Sequence, residues 1–393
     1  MSPEMVGLDD TVVVVGASIA GVTAVEELLG LGHRGRIVLI DSDNAEPYAR
    51  PPLSKGVLTG ADKPDSAQLP PLDRSRVEIV LGDRVMALDR DGQAVRLASG
   101  RAVAYGGLVI ASGARARTLS NLGKNAARVD EYVVRSLRDA VRLRDAIKGA
   151  SSIAIVGGGA LGMEIASACV GLGLSTTVVT NEAPMLRQCG TWISDLVTRQ
   201  AIASGVDIRI NPDGASLVRC DDGQPAVQLA DTMLHADVIV SAVGDVPNVE
   251  WLENTGIHCS PGVVVDSRCR VTDNIVAAGD VAAMGDPFCR NPHWSNAIDQ
   301  ARVAAAALIL GDAADELIHR PYFWTDQFAL SLKMGGPAPF VGQPEIVDGS
   351  VDDLAAILQW NESGRAKGAL ALNKRIPISR LHRVAGNPTP TPR

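Results

Sequence analysis

The 393-residue chain is predicted to be an α/β protein that carries one strand–turn–helix–strand unit twice and ends in an α+β segment. Two observations lead there. Residues 11–41 and 152–180 read alike: each opens on an aliphatic or β-branched run, turns on glycines, and continues with apolar residues at helical spacing. Each then passes a small glycine-containing loop into a second β-branched run.

In the first copy the strand is Val12 to Val15, the turn carries Gly16, Ser18 and Gly21, and Ile19 and Ala20 open the helix. The second strand ends at Asp41. In the second copy the strand is Ile153 to Val156, the turn carries Gly157, Gly159, Leu161 and Gly162, and the closing strand ends at Thr180. The spacing has a chemical reason. The first glycine permits the tight turn, the second lets backbone approach a diphosphate, and the third lets helix pack on strand. The diphosphate then rests on a helix N-terminus, whose unpaired N–H groups favour negative charge. One such loop is weak evidence, and two in full context point to two dinucleotides. Ser18 is small enough to stand for the second glycine, and Asp41 is placed to accept hydrogen bonds from an adenosine ribose. The matching position, Thr180, is not an acid; Glu182, two residues on, is a candidate substitute.

Hydrophobic residues make up 46% and charged residues 21%, values of an ordinary globular protein. A length of 393 residues predicts two or three domains. A net charge of -8 argues against a general nucleic-acid binder, which needs a surplus of Lys and Arg. The start of the chain has acids and no basic region, and no stretch approaches the ~20 apolar residues of a membrane helix. The expectation is a cytoplasmic protein with no membrane or nucleic-acid partner, as a monomer or a homodimer. Cys169, Cys189, Cys220, Cys259, Cys269 and Cys289 show neither pair nor metal spacing, and no metal is expected.

The segment from Glu46 to Lys55, reading E-P-Y-A-R-P-P-L-S-K, resembles the FAD-dependent ferredoxin and rubredoxin reductases that feed cytochromes P450 and Rieske oxygenases. Further matches follow in order: Leu108 to Arg117, Val243 to Asn248, Ile275 to Val281, His293 to Gln300 and Pro321 to Gln327. The resemblance implies FAD and either NADH or NADPH as cofactors. It implies hydride transfer to FAD and then single-electron transfer to a ferredoxin, the iron–sulfur partner. Direct reduction of a small acceptor such as a quinone is the alternative, and redox-controlled association, as in apoptosis-inducing-factor relatives, is a more distant one.

Arg50 and Lys55 then lie near the flavin, held by prolines, with the Lys55 cation favouring the reduced ring. The resemblance implies that Asp280, after Gly279, hydrogen-bonds the ribityl chain, that Trp294 and Trp324 flank the ring, and that Glu164 faces the nicotinamide. Lys55, Glu164 and Trp324 are the implied catalytic residues; Ala111, Ser112, Gly113, Arg117, Gly244, His293 and Ala297 complete the cofactor contacts. Against the family pattern, Ser112, Ala116 and Ala301 are conservative departures, whereas Thr180 replaces an acid that favours NADH and leaves coenzyme preference open. Motif order implies a discontinuous FAD domain at 1–118 and 246–322, an NAD(P) domain at 119–245 and an α+β domain at 323–393. Residues 345–362 are acidic, whereas Arg365, Lys367, Lys374, Arg375, Arg380, Arg383 and Arg393 bring only positive charge, a basic face suited to an acidic ferredoxin.

Overall fold

The computed structural model describes residues 6–120, 130–220 and 223–386; Arg393 lies outside them. The chain divides into two compact units. Met1–Ala49, Ala67–Arg115 and Val246–His319 form the first, and Arg50–Ser66, Ala116–Asp245 and Arg320–Arg393 the second.

The first unit is built on a six-stranded sheet in the order Arg270–Thr272, Ile275–Ala277, Gly107–Ile110, Val12–Val15, Ile37–Ile40, Val77–Val80. All neighbours are parallel except the first pair. Strands Val12–Val15 and Ile37–Ile40 are buried along their whole length, the pattern of a parallel sheet covered on both faces. Val12, Val14, Ile37 and Leu39 pack on one face with helices Ile19–Gly30 and Trp294–Leu310. Val13, Val15, Val38 and Ile40 pack on the other with Trp251 and Val281. Each fully buried aliphatic side chain contributes about 1.5–3 kcal/mol, so this alternation fixes the register of the central strands.

The second unit contains a parallel sheet in the order Asp207–Ile210, Ser175–Thr180, Ser152–Val156, Val238–Ser241. A small antiparallel sheet joins its core through Leu217, Val227 and Leu234. A five-stranded antiparallel sheet follows, in the order Tyr322–Gln327, Leu330–Gly335, Arg365–Leu372, Ala355–Glu362, Glu345–Ser350. Leu381, within helix Ile378–Val384, and Ala385, just past it, close its core over Ala369 and Ala371. The two dinucleotide-type sheets and the α+β segment expected from sequence are all present.

Two groupings differ from the order of the motifs. Arg50–Ser66 belongs to the second unit because Leu53, Val57 and Leu58 are buried, and their short helical turns pack on helices Leu137–Ile147 and Ala160–Gly171. The C-terminal sheet shares that unit through an aromatic cluster: Phe340 stacks on Trp360 at 4.7 Å, and Trp192 meets the same ring edge-on at 5.9 Å. No helix among the described residues is long and apolar enough to cross a membrane.

Candidate active site

In the first unit Gly16 has φ +111°, and a Cβ there would lie 2.1 Å from the Ala111 carbonyl oxygen. A Cβ on Gly21 would lie 1.8 Å from the Gly16 oxygen. Turn, strand end and helix therefore meet with no room for a side chain. Ser18 caps helix Ile19–Gly30 by backbone conformation, and its hydroxyl makes no capping hydrogen bond. Asp41 accepts from the Ala17 N–H at 2.6 Å and the Asp43 N–H at 2.8 Å, so it holds the glycine loop in shape besides being available to a ribose.

Gly279 has φ +82°, and a Cβ would come 3.0 Å from that of Ala20 and 3.7 Å from that of Ala297. Gln300 Oε1 accepts the buried Gly279 N–H at 2.8 Å. Together these hold Gly279, two residues past strand Ile275–Ala277 and next to Asp280, against the two helices. Ser112 and Asn248 exchange side-chain-to-backbone hydrogen bonds, each 2.8 Å, joining the Leu108 and Val243 motifs. Gly113 accepts from the Asn248 N–H at 3.0 Å. His293 precedes helix Trp294–Leu310; burial pushes its imidazole pKa down, with the Asp280 charge opposing.

The second unit repeats the device. A Cβ on Gly157, φ +120°, would lie 2.2 Å from the Ala242 oxygen, and one on Gly162 1.9 Å from the Gly157 oxygen. Gln188 Oε1 accepts the Ala160 N–H at 2.9 Å and lies 3.4 Å from where a Gly159 Cβ would stand. An oxygen acceptor thus already occupies the helix start, where a diphosphate oxygen is favoured. A cavity of about 430 Å³ opens beside it, lined among others by Gly157, Gly159, Thr180, Glu182, Met185 and Arg187. Glu182 is paired with Arg187 at 3.0 Å. Arg117 donates through its N–H to the Gly244 oxygen at 3.0 Å and through its guanidinium to the Asp245 oxygen at 3.2 Å. Leu161 opens helix Ala160–Gly171 and is partly exposed.

Thr180 is buried with its hydroxyl against Gly158, where an added Cβ would come within 2.6 Å. Thr180 itself brings no carboxylate to this strand end to repel a ribose 2′-phosphate, and the nearby Glu182 is paired with Arg187. Thr180→Glu is expected to move the NADH/NADPH ratio of kcat/KM toward NADH by about tenfold or more, roughly 1.4 kcal/mol. An unchanged ratio would mean that the Glu182 and Arg187 pair decides selectivity.

Lys55 and Glu164, 109 positions apart by subtraction of their numbers, form an ion pair at 2.7 Å. Ser54 Oγ donates to Glu164 Oε2 at 2.5 Å and Thr325 Oγ1 donates to Oε1 at 2.7 Å. The side chains are 25% and 9% exposed, so this charge pair is largely out of water and is rigidly held. Arg50 donates to the Arg135 carbonyl oxygen at 2.5 Å, tying the proline loop to the start of helix Leu137–Ile147. Trp324 stacks on Tyr322, with centroids 5.8 Å apart. Of the residues expected at the site, Lys55 and Glu164 are brought into contact. Ser54, Thr325 and Gln188 were not anticipated; the first two lie inside quoted motifs, and the third follows the second unit with no distinguishing spacing.

Residues 10–306 match the family described as pyridine nucleotide-disulphide oxidoreductase. The chain is 33% identical to rhodocoxin reductase of Rhodococcus erythropolis, over 87% of this chain and 81% of that one. It is 32% identical to the anthranilate 1,2-dioxygenase system ferredoxin–NAD(+) reductase component of Burkholderia cepacia, over 98% and 96%. Among solved structures, the covalent putidaredoxin reductase–putidaredoxin complex matches with a TM-score of 0.83 at 28% identity, covering 95% of this chain and 91% of that chain.

Proposed function

This chain belongs to the pyridine nucleotide-disulphide oxidoreductase family and is an FAD- and NAD(P)H-dependent reductase, and we propose that it delivers electrons to a ferredoxin serving a cytochrome P450 or Rieske oxygenase. The observation that carries this reading is a fixed charge pair, Lys55 with Glu164, in a chain whose thiols are not arranged for disulphide chemistry. All six cysteines are free. Burial pushes the Cys169, Cys189 and Cys269 thiols up to about 12, far from the thiolate form that reacts.

The glycine cradle of the first unit, with Asp41 and Asp280, suits FAD, and that of the second, with its cavity, suits the nicotinamide coenzyme. Bound FAD would supply the exchange between a two-electron donor and one-electron acceptors. The chain's part is binding and electrostatics. The helix starts receive the diphosphates, with the Ala160 N–H now held by Gln188 available to a phosphate oxygen. With FAD and the coenzyme bound, Lys55 would offer a fixed cation to the electron-rich reduced ring, and Glu164, its partner, would orient that cation and face the nicotinamide.

The basic C-terminal stretch is partly neutralised. Lys367 pairs with Glu362 and Lys374 with Asp348, each at 3.0 Å. Arg365, Arg375, Arg380 and Arg383 remain exposed, and they are the charges that would steer an acidic ferredoxin. Steady-state turnover with a panel of acidic ferredoxins, set against quinones, tests the reading. Turnover is expected to favour a ferredoxin and to fall steeply as salt rises to 0.15 M, where screening shortens to about 8 Å. Efficient reduction of a quinone with no ferredoxin supported would instead assign a small-molecule acceptor.

A further inference from the structure

We infer that Thr325 and Gln327 are positioning residues for hydride transfer: they fix Glu164 and tie it to the wall of the coenzyme cavity. This rests on the reading of Glu164 as the residue that faces the nicotinamide. Both side chains leave the same face of strand Tyr322–Gln327, two residues apart, and are 0% and 3% exposed. Trp324 and Asp326, on the opposite face, are not involved.

The direction of each hydrogen bond follows from what the groups can do. Gln327 Nε2 reaches two atoms at 3.1 Å, Thr325 Oγ1 and Met185 Sδ. An amide nitrogen carries two protons and no acceptor, and a thioether sulfur only accepts. Reversing the amide would set an oxygen against the sulfur with no proton between them. The Thr325 hydroxyl therefore accepts from Gln327, and its single proton goes to Glu164 Oε1 at 2.7 Å, the oxygen that Lys55 also holds.

The far end of this chain of contacts is Met185. Its backbone is left-handed at φ +58°, its N–H donates to the Gly158 oxygen at 2.8 Å, and it lines the coenzyme cavity. A group that shifts Met185 on entering the cavity acts on Gln327, and through Thr325 on the carboxylate paired with Lys55. A packing role alone would be filled by Val and Leu, which match these side chains in volume and leave no buried polar atom to satisfy. Gln327 Oε1 has no partner among the described residues, so polarity is retained here at a cost.

The test uses the FAD-loaded protein and the variants Thr325→Val, Thr325→Ser and Gln327→Leu. Two quantities are read: the limiting rate of flavin reduction by NADH in stopped flow, and the ratio of calorimetric affinities for NAD+ and ADP-ribose, which isolates the nicotinamide's share of binding. Thr325→Val is expected to slow flavin reduction about tenfold or more and to shrink the affinity ratio, with ADP-ribose binding unchanged. Thr325→Ser, which keeps the hydroxyl, should recover most of both, and Gln327→Leu should fall between. Parental rate and ratio in Thr325→Val, or a serine variant no better than valine, would overturn the inference. If valine prevents folding, the Gln327→Leu comparison carries the same decision. Both quantities are read before any acceptor is added, so failure to reduce ferredoxin would count against the proposed function and not against these residues.

Discussion

Replacing Gly16 with alanine is expected to give a colourless protein, with flavin content falling from about one per chain to near zero. A Cβ at this position would stand 2.1 Å from the Ala111 carbonyl oxygen, and the backbone is at φ +111°, where L residues are strained. The obstruction is backbone, so no rotamer change relieves it. Strain in such a conformation costs on the order of 1–3 kcal/mol before the clash is counted. The relief available is to move the end of strand Gly107–Ile110 away from Val12–Val15, which opens the cradle that receives the diphosphate. Gly157→Ala makes the same collision with Ala242, at 2.2 Å, in the second unit. It is expected to remain yellow and to lose reduction by NAD(P)H. Gly171→Ala is the control, since nothing lies within 4 Å of its added Cβ. Visible absorbance per chain and stopped-flow reduction read all three. Full flavin occupancy in Gly16→Ala, or colour lost in Gly157→Ala alone, would reverse the assignment of the two cradles.

The second large effect is at Lys55. Lys55→Met should slow hydride transfer about 100-fold, near 2.7 kcal/mol, the scale of removing one preorganised electrostatic group from a site screened from water. It should also destabilise the fold by about 3 kcal/mol, because Glu164 stays buried with Ser54 and Thr325 as its remaining donors. Lys55→Met paired with Glu164→Gln removes both charges and separates the two effects: stability should largely return while the rate stays low. A rate that recovers together with stability would make Lys55 a structural residue and nothing more.

Much of this was legible in the sequence because the repeated unit carries its own signals. The glycines at 16, 21, 157 and 162 are forced by backbone approaches that any cradle of this type makes. Gly279 and Ala297 were likewise legible from motif order, and the reason appears only in the packing, where a Cβ on Gly279 would meet those of Ala20 and Ala297. What the sequence left hidden depends on contacts far apart in the chain. Ser54 and Thr325 reach Glu164 across 110 and 161 positions, and no periodicity records such a meeting. Thr325 sits inside the Pro321 to Gln327 match, between the more conspicuous Trp324 and Asp326. The grouping of Arg50–Ser66 with the second unit was hidden for the same reason: Leu53, Val57 and Leu58 look like any short apolar turn until helices Leu137–Ile147 and Ala160–Gly171 are in place.

In the proposed function flavin alone carries electrons between the nicotinamide and a one-electron partner. Anaerobic titration of the FAD-loaded protein with dithionite, followed by visible absorbance, tests it most directly. Full reduction is expected at about two electrons per chain, unchanged once the reduced protein has been alkylated and reoxidised, because bound FAD is the one redox group engaged. Uptake of about four electrons per chain, falling to two once the reduced protein has been alkylated and reoxidised, would reveal a thiol–disulphide couple in turnover and contradict a flavin-only route.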